Sequence, residues 1–163
     1  MIGFPKRAGL VALMLALAAS PGLTASGGGS SSGGGSTSGN SQKNAAVATY
    51  ADAQALVDQG KYNKALKVLR AMTKANPSDA DAWNLMGYSS RKLKKYDDAS
   101  VYYAKALKLD PKHLGALEYQ GELFVETGAY TQAKANLKLL KSLCGKCEQY
   151  AELKTALTAA GQS

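Results

Sequence analysis

One spacing constrains this chain of 163 residues more than any other feature: the dipeptides Asn76-Pro77 and Asp110-Pro111 stand 34 residues apart. Ala65, Ala99 and Ala133 keep the same interval, as do Tyr62, Tyr96 and Tyr130. So do the small residues Ala53, Gly87 and Gly121, and the large apolar series Leu69, Tyr103 and Leu137. Four columns in phase at one period of this length predict a solenoid, in which one supersecondary unit stacks on copies of itself.

Each unit carries the same internal logic. An apolar-periodic segment of about 14 residues runs to a breaker, at Gly60, at Lys94-Lys95 and at Gly128. A second helical segment follows and stops at the Asn/Asp-Pro turn, because proline can neither donate its amide nor clear the preceding carbonyl. The small residue of the first helix is expected to meet the alanine of the second at a close backbone crossing, with the tyrosine of the turn packed over it. The pattern describes an antiparallel helix pair repeated three times.

The stretch Trp83-Asn84-Leu85-Met86-Gly87, followed by Tyr96, Ala99, Tyr103, Ala106 and Pro111, resembles a tetratricopeptide repeat. In that phase the repeats occupy residues 46–79, 80–113 and 114–147, about two thirds of the chain. Three positions depart from the family pattern: Met86 stands where a leucine is expected before the small residue, Ser90 where an aromatic is expected, and Thr49 where the tryptophan would fall in the first repeat. The resemblance implies an all-α, right-handed α-solenoid of three helix pairs. Residues 148–160 complete it as a capping helix, with Tyr150, Leu153 and Leu157 on one stripe and Gln149, Glu152 and Lys154 on the rest.

The resemblance also implies a concave groove lined by the first helix of each pair. Its facing positions are then Tyr50, Gln54, Val57 and Asp58, followed by Asp81, Asn84, Tyr88, Arg91 and Lys92, and last by Glu118, Glu122, Val125 and Glu126. The candidate site for a protein or peptide partner is Tyr50, Gln54, Asn84, Tyr88, Arg91, Glu118, Glu122 and Glu126. The three glutamates recur every four residues, which puts them on one helix face as an acidic wall. Facing the patch of Tyr88, Arg91 and Lys92, that wall suits a peptide of mixed charge. Family members that grip a C-terminal carboxylate use lysines and asparagines on these helices. Only Asn84 has a fitting type here, with Tyr50 and Gly115 at other positions of that kind, so no such clamp is expected.

Residues 1–25 have the form of a secretory signal: Lys6 and Arg7, an apolar run from Ala8 to Ala19, then Pro21-Gly22 and Ala25. The run is 12 residues, short of the roughly 20 that span a bilayer as a helix. A periplasmic protein with no membrane span after cleavage is the expectation, and a tether through an uncleaved signal the alternative. Residues 26–44 are dominated by Gly and Ser and are expected to form a flexible linker.

The chain carries 20 Lys and Arg against 12 Asp and Glu, a formal charge of +8. Much of that excess sits on the second helices, at Lys64, Lys67, Lys74, Lys105, Lys108, Lys134, Lys138 and Lys141. Such a face can associate weakly with an anionic envelope surface. It has no interleaved aromatics to stack bases, and no nucleic-acid partner is expected. One histidine and two cysteines leave little for a metal site, and no metal, cofactor or catalytic residue is expected. His113 falls in a turn and is expected to be exposed.

Cys144-Gly145-Lys146-Cys147 occupies the slot that holds Asn76-Pro77-Ser78-Asp79 and Asp110-Pro111-Lys112-His113 in the other repeats. A structural disulfide would restrain this turn where the proline is missing. A thiol–disulfide exchange site is the alternative, since the Cys-x-x-Cys spacing can tune thiolate pKa. The function implied is an exported scaffold, not an enzyme, that binds a partner in its groove during envelope or complex assembly. A redox participant or a basic surface adaptor are the other readings.

Overall fold

The computed structural model describes residues 49–162, and the signal and linker assigned above, with residues 46–48, lie outside that range. Among the described residues there are seven α-helices and no strands: α1 (Tyr50–Asp58), α2 (Tyr62–Ala75), α3 (Ala80–Lys92), α4 (Tyr96–Leu109), α5 (Leu114–Glu126), α6 (Tyr130–Cys144) and α7 (Glu148–Ala159). None is long and apolar enough to cross a membrane. The expected all-α solenoid is the architecture found.

Helix starts and stops follow the 34-residue columns. The helices α3 and α5 are N-capped by Asp79 and His113, which accept the amides of Ala82 at 2.9 Å and Ala116 at 3.2 Å. At the head of α1, Thr49 and Asp52 form a reciprocal capping box. The breaker column ends α1, α3 and α5 with one residue of positive φ: 69° at Gly60, 59° at Lys94 and 77° at Gly128. After each, a backbone amide reaches back five residues, Lys61 to Leu56 at 2.8 Å, Lys95 to Ser90 at 2.9 Å and Ala129 to Phe124 at 2.7 Å. This is the helix-terminating bond that a left-handed residue makes geometrically available.

Packing is strictly local, as in a solenoid. Each helix packs on the next, and α1, α3, α5 and α7 also touch in succession, whereas α2, α4 and α6 do not touch one another. One layer is therefore tighter than the other, and the array curves with α1, α3, α5 and α7 inside. The core comes in successive clusters rather than one centre. The first gathers Ala53, Val57, Ala65, Leu66 and Leu69 with Leu85 and Met86 of α3. Next, Ala99 and Tyr103 meet Tyr119 and Leu123 of α5. Finally, Leu117, Ala133 and Leu140 meet Leu153 and Leu157 of α7. Val57, expected in the groove, belongs to the first of these clusters, because it shares a helix face with Ala53.

The small-residue column shapes these junctions. At Gly87 the nearest atoms to an added Cβ are those of the Tyr103 ring, at 2.5 Å, rather than the alanine of the column. At Gly121 they belong to Leu153 of α7. A missing side chain in the first helix thus makes a notch for a large side chain of a later one. At the near end α1 presents exposed Ala51 and Ala55 at the positions where α7 buries Leu153 and Leu157.

Two substitutions test this account by chemical denaturation. Gly87→Ala drives a methyl into a fully buried ring and is expected to destabilise by about 1–3 kcal/mol. Lys94→Gly relieves the one left-handed non-glycine residue among those described and is expected to stabilise by about 1 kcal/mol.

Candidate functional site

The eight residues of the candidate site lie on the inner helices α1, α3 and α5, but in different states. Tyr50, Gln54, Tyr88 and Glu122 are half-buried, and Glu126 is exposed. Asn84, Arg91 and Glu118 are buried, at 6%, 5% and 2% relative exposure, where open positions were expected. Their burial has a common cause. They lie on α3 and α5, which have an inner helix on both sides, and the curvature closes the face over them.

Arg91 corrects the picture of a basic patch facing an acidic wall. Its two terminal nitrogens donate to Glu126 Oε1 and Glu122 Oε2, so patch and wall are a single ion-paired network between α3 and α5. The four-residue spacing of Glu122 and Glu126 lets one guanidinium span both carboxylates. The guanidinium carbon lies 5.6 Å from the Tyr88 ring centre and 5.9 Å from that of Tyr119, and the two rings are 5.0 Å apart. Lys92 Nζ stands 5.4 Å from the Tyr88 ring, so that ring is engaged by cations of its own helix. At the other end of the face Gln54 donates to Asp58 at 2.8 Å. Burial, with Asp81, Asp79 and Asp58 nearby, pushes the Tyr50 hydroxyl up to about 12.

Glu118 is the most perturbed carboxyl. Burial raises its pKa first, then a hydrogen bond with Glu152 of α7, then the charges of Glu122 and Glu152, against the lowering by Arg91; the result is about 10. Glu118 is therefore neutral at pH 7 and hydrogen-bonded to Glu152 across the α5–α7 seam. Its Oε1 and the Oδ1 of Asn84 are buried without a hydrogen-bond partner. The Asn84 amide nitrogen lies against the first turn of α5, 3.4 Å from where Gly115 would carry a Cβ.

Glu152, expected on the polar back of a cap, lies on the inner face beside Glu118. The signal was available, because Tyr50, Asn84, Glu118 and Glu152 form one 34-residue column. His113 is also reassigned. It is 13% exposed; Nδ1 accepts the Ala116 amide, and Nε2 lies 3.1 Å from Asp81 Oδ1, at ion-pair distance but without hydrogen-bond alignment. The sulfurs of Cys144 and Cys147 lie at disulfide distance in the α6–α7 turn, with Cα atoms 5.6 Å apart. No group of three side chains able to hold a metal occurs among the described residues.

Two family models match the chain: the anaphase-promoting complex (cyclosome) subunit 3 model over residues 37–106 and the tetratricopeptide repeat model over residues 85–142. No curated protein matches. Among solved structures, MamA from Desulfovibrio magneticus RS-1 is 26% identical with a TM-score of 0.55. That match covers 58% of this chain and 53% of MamA, so the chain spans about half the length of this relative. The Yersinia enterocolitica type III secretion chaperone SycD, in complex with a peptide of the translocator YopD, is 23% identical. It matches with a TM-score of 0.60 over 68% of this chain and 85% of its own. The TPR2B domain of yeast Sti1, complexed with pHsp70, is 18% identical, with a TM-score of 0.62 over 68% and 90%. At these identities the last two establish a common fold.

Since native Glu118 holds a proton that the unfolded chain, with a carboxyl near 4.5, has released, stability falls as pH rises from about 4.5 towards 10. Glu118→Gln keeps a donor for Glu152 and removes the titration. Followed by circular dichroism, the variant is expected to melt above the wild type at pH 8, with the difference closing towards pH 4.

Proposed function

We propose that this chain, which belongs to the tetratricopeptide repeat family, is a scaffold that holds a segment of a protein or peptide partner on the inner face of α1, α3, α5 and α7. The observation that carries this reading is the face itself. It gathers aromatic side chains, amides and charged groups on four helices held rigid by packing, which is the mix that anchors and orients a bound segment. Tyr50 and Gln54 are half-buried on that face, and Tyr50 offers large contact area with a polar tip and little rotamer entropy. The complexes of SycD with a YopD peptide and of Sti1 with pHsp70 support the same use of a similar fold.

The scaffold works outside the cytoplasm, in the periplasm, where it serves the assembly of an envelope or other complex. The signal-like residues 1–25 support export, and the Gly/Ser tract at 26–44 would give the array reach. The Cys144–Cys147 pair fits a compartment in which disulfides persist. A second reading rests on the outer helices, whose lysines at 64, 67, 74, 108, 134, 138 and 141 are exposed. They favour weak, salt-sensitive association with an anionic envelope surface alongside partner binding.

Crosslinking and capture from the native compartment supplies the partner, and surface kinetics test the face. Tyr50→Ala is expected to weaken binding about tenfold through a faster off-rate. Reversal of Lys134 and Lys138 on the outer face should leave binding unchanged. Weakening by the outer-face reversal alone would place the interaction on the convex side.

A further inference from the structure

We propose that the seam between α5 and α7 is a receptor for one cationic side chain of the bound partner, a lysine ammonium or an arginine guanidinium, seated among Glu118, Glu122 and Glu152. The proposal rests on the groove reading above and names the chemistry of the occupant.

Charge balance on the inner face is the first ground. Four carboxyl groups, Glu118, Glu122, Glu126 and Glu152, stand on α5 and α7. The buried cation beside them is Arg91, with both terminal nitrogens committed to Glu122 and Glu126. Lys92 is exposed and turned over the Tyr88 ring. Lys154 of α7 is exposed, and the lysines of α2, α4 and α6 stand on the outer helices, away from this face.

The second ground is independent of charge. Among the buried side-chain atoms without a hydrogen-bond partner are Asn84 Oδ1 and Glu118 Oε1, both in side chains more than nine-tenths buried. The Asn84 amide nitrogen lies against Gly115 in the first turn of α5, one helical turn before Glu118. Buried polar groups are nearly always satisfied, and acceptors left without donors call for a ligand that donates. Carboxylates beside them call for that donor to be positive. An ammonium with three donors, or a guanidinium with five, meets both needs, whereas a carboxylate or an apolar side chain meets neither.

The exchange is balanced by one proton. In the free protein the protonated Glu118 is hydrogen-bonded to Glu152. An arriving cation takes the proton's place: the O–H bond of Glu118 breaks, the proton passes to solvent, and the carboxylate pairs with the cation. The groups that face Glu118 are Arg91 from α3, Glu122 and Tyr119 on α5, and Glu152 from α7. Affinity for a cationic segment should therefore rise with pH, with at most one proton released per site.

The probes are three end-blocked heptapeptides of Gly, Ala and Ser that differ only at the centre: lysine, arginine or norleucine. Binding to the full chain is followed by amide NMR shifts, and proton release by calorimetry in two buffers of different ionisation enthalpy. The lysine and arginine peptides are expected to shift amides of α5 and α7 and to bind about tenfold more tightly than the norleucine peptide. Glu118→Gln should abolish proton release, and Glu152→Gln should weaken the lysine peptide about tenfold. Equal binding of norleucine, no binding of any peptide at millimolar concentration, or shifts confined to α2, α4 and α6 would each overturn the receptor. The groove reading fails separately, if Tyr50→Ala leaves the captured partner's binding unchanged.

Discussion

The absence of a side chain at Gly121 determines where α7 lies. Leu153 fills that notch, and Leu153 and Leu157 close the last core cluster against Leu117, Ala133 and Leu140. The neighbour of Leu153 in sequence is Glu152, so the contact that docks α7 also delivers a carboxylate to Glu118. Packing and electrostatics are therefore not separate designs here. An apolar insertion on one side of the helix sets the charge environment on the next, and any change that opens the notch should be felt at Glu118.

Arg91 does the corresponding work one junction earlier. A guanidinium at 5% exposure would be costly to desolvate alone, but two carboxylates and two aromatic rings surround it. Glu122 and Glu126 remain partly open to water, at 24% and 37% side-chain exposure, which lowers the penalty on their side. The network ties α3 to α5 with specific geometry where apolar packing alone would permit sliding. It also uses up the arginine that would otherwise offer a partner positive charge, and leaves the inner face acidic in character.

Much of the architecture was legible from the chain. The breaker column, the Pro turns and the small-residue column are local chemistry repeated in register, and helix boundaries follow local chemistry. The middle repeat even shows its compensation in sequence: Ser90 is small where Leu56 and Phe124 stand in the other repeats, and Tyr103 is large where they have Leu69 and Leu137. The site was less legible. Glu118, Asn84 and Arg91 have the residue types of a solvated face, and their burial comes from curvature and from α7, which no local pattern encodes. The ring that fills the Gly87 notch comes from α4, a tertiary choice that left the alanine column looking sufficient. His113 looked like a loop residue because histidine is an uncommon N-cap, although it stands one period after Asp79.

The claim on which the rest turns is that α7 docking creates a buried, proton-holding carboxyl on the inner face. Carbon-13 NMR of the glutamate side-chain carboxyls, titrated in the intact chain, measures it directly. The Glu118 carboxyl carbon is expected to stay at its protonated position through pH 7 and to move only well above it. A Glu118 resonance that titrates near pH 4.5 with an ordinary exposed carboxyl would contradict it.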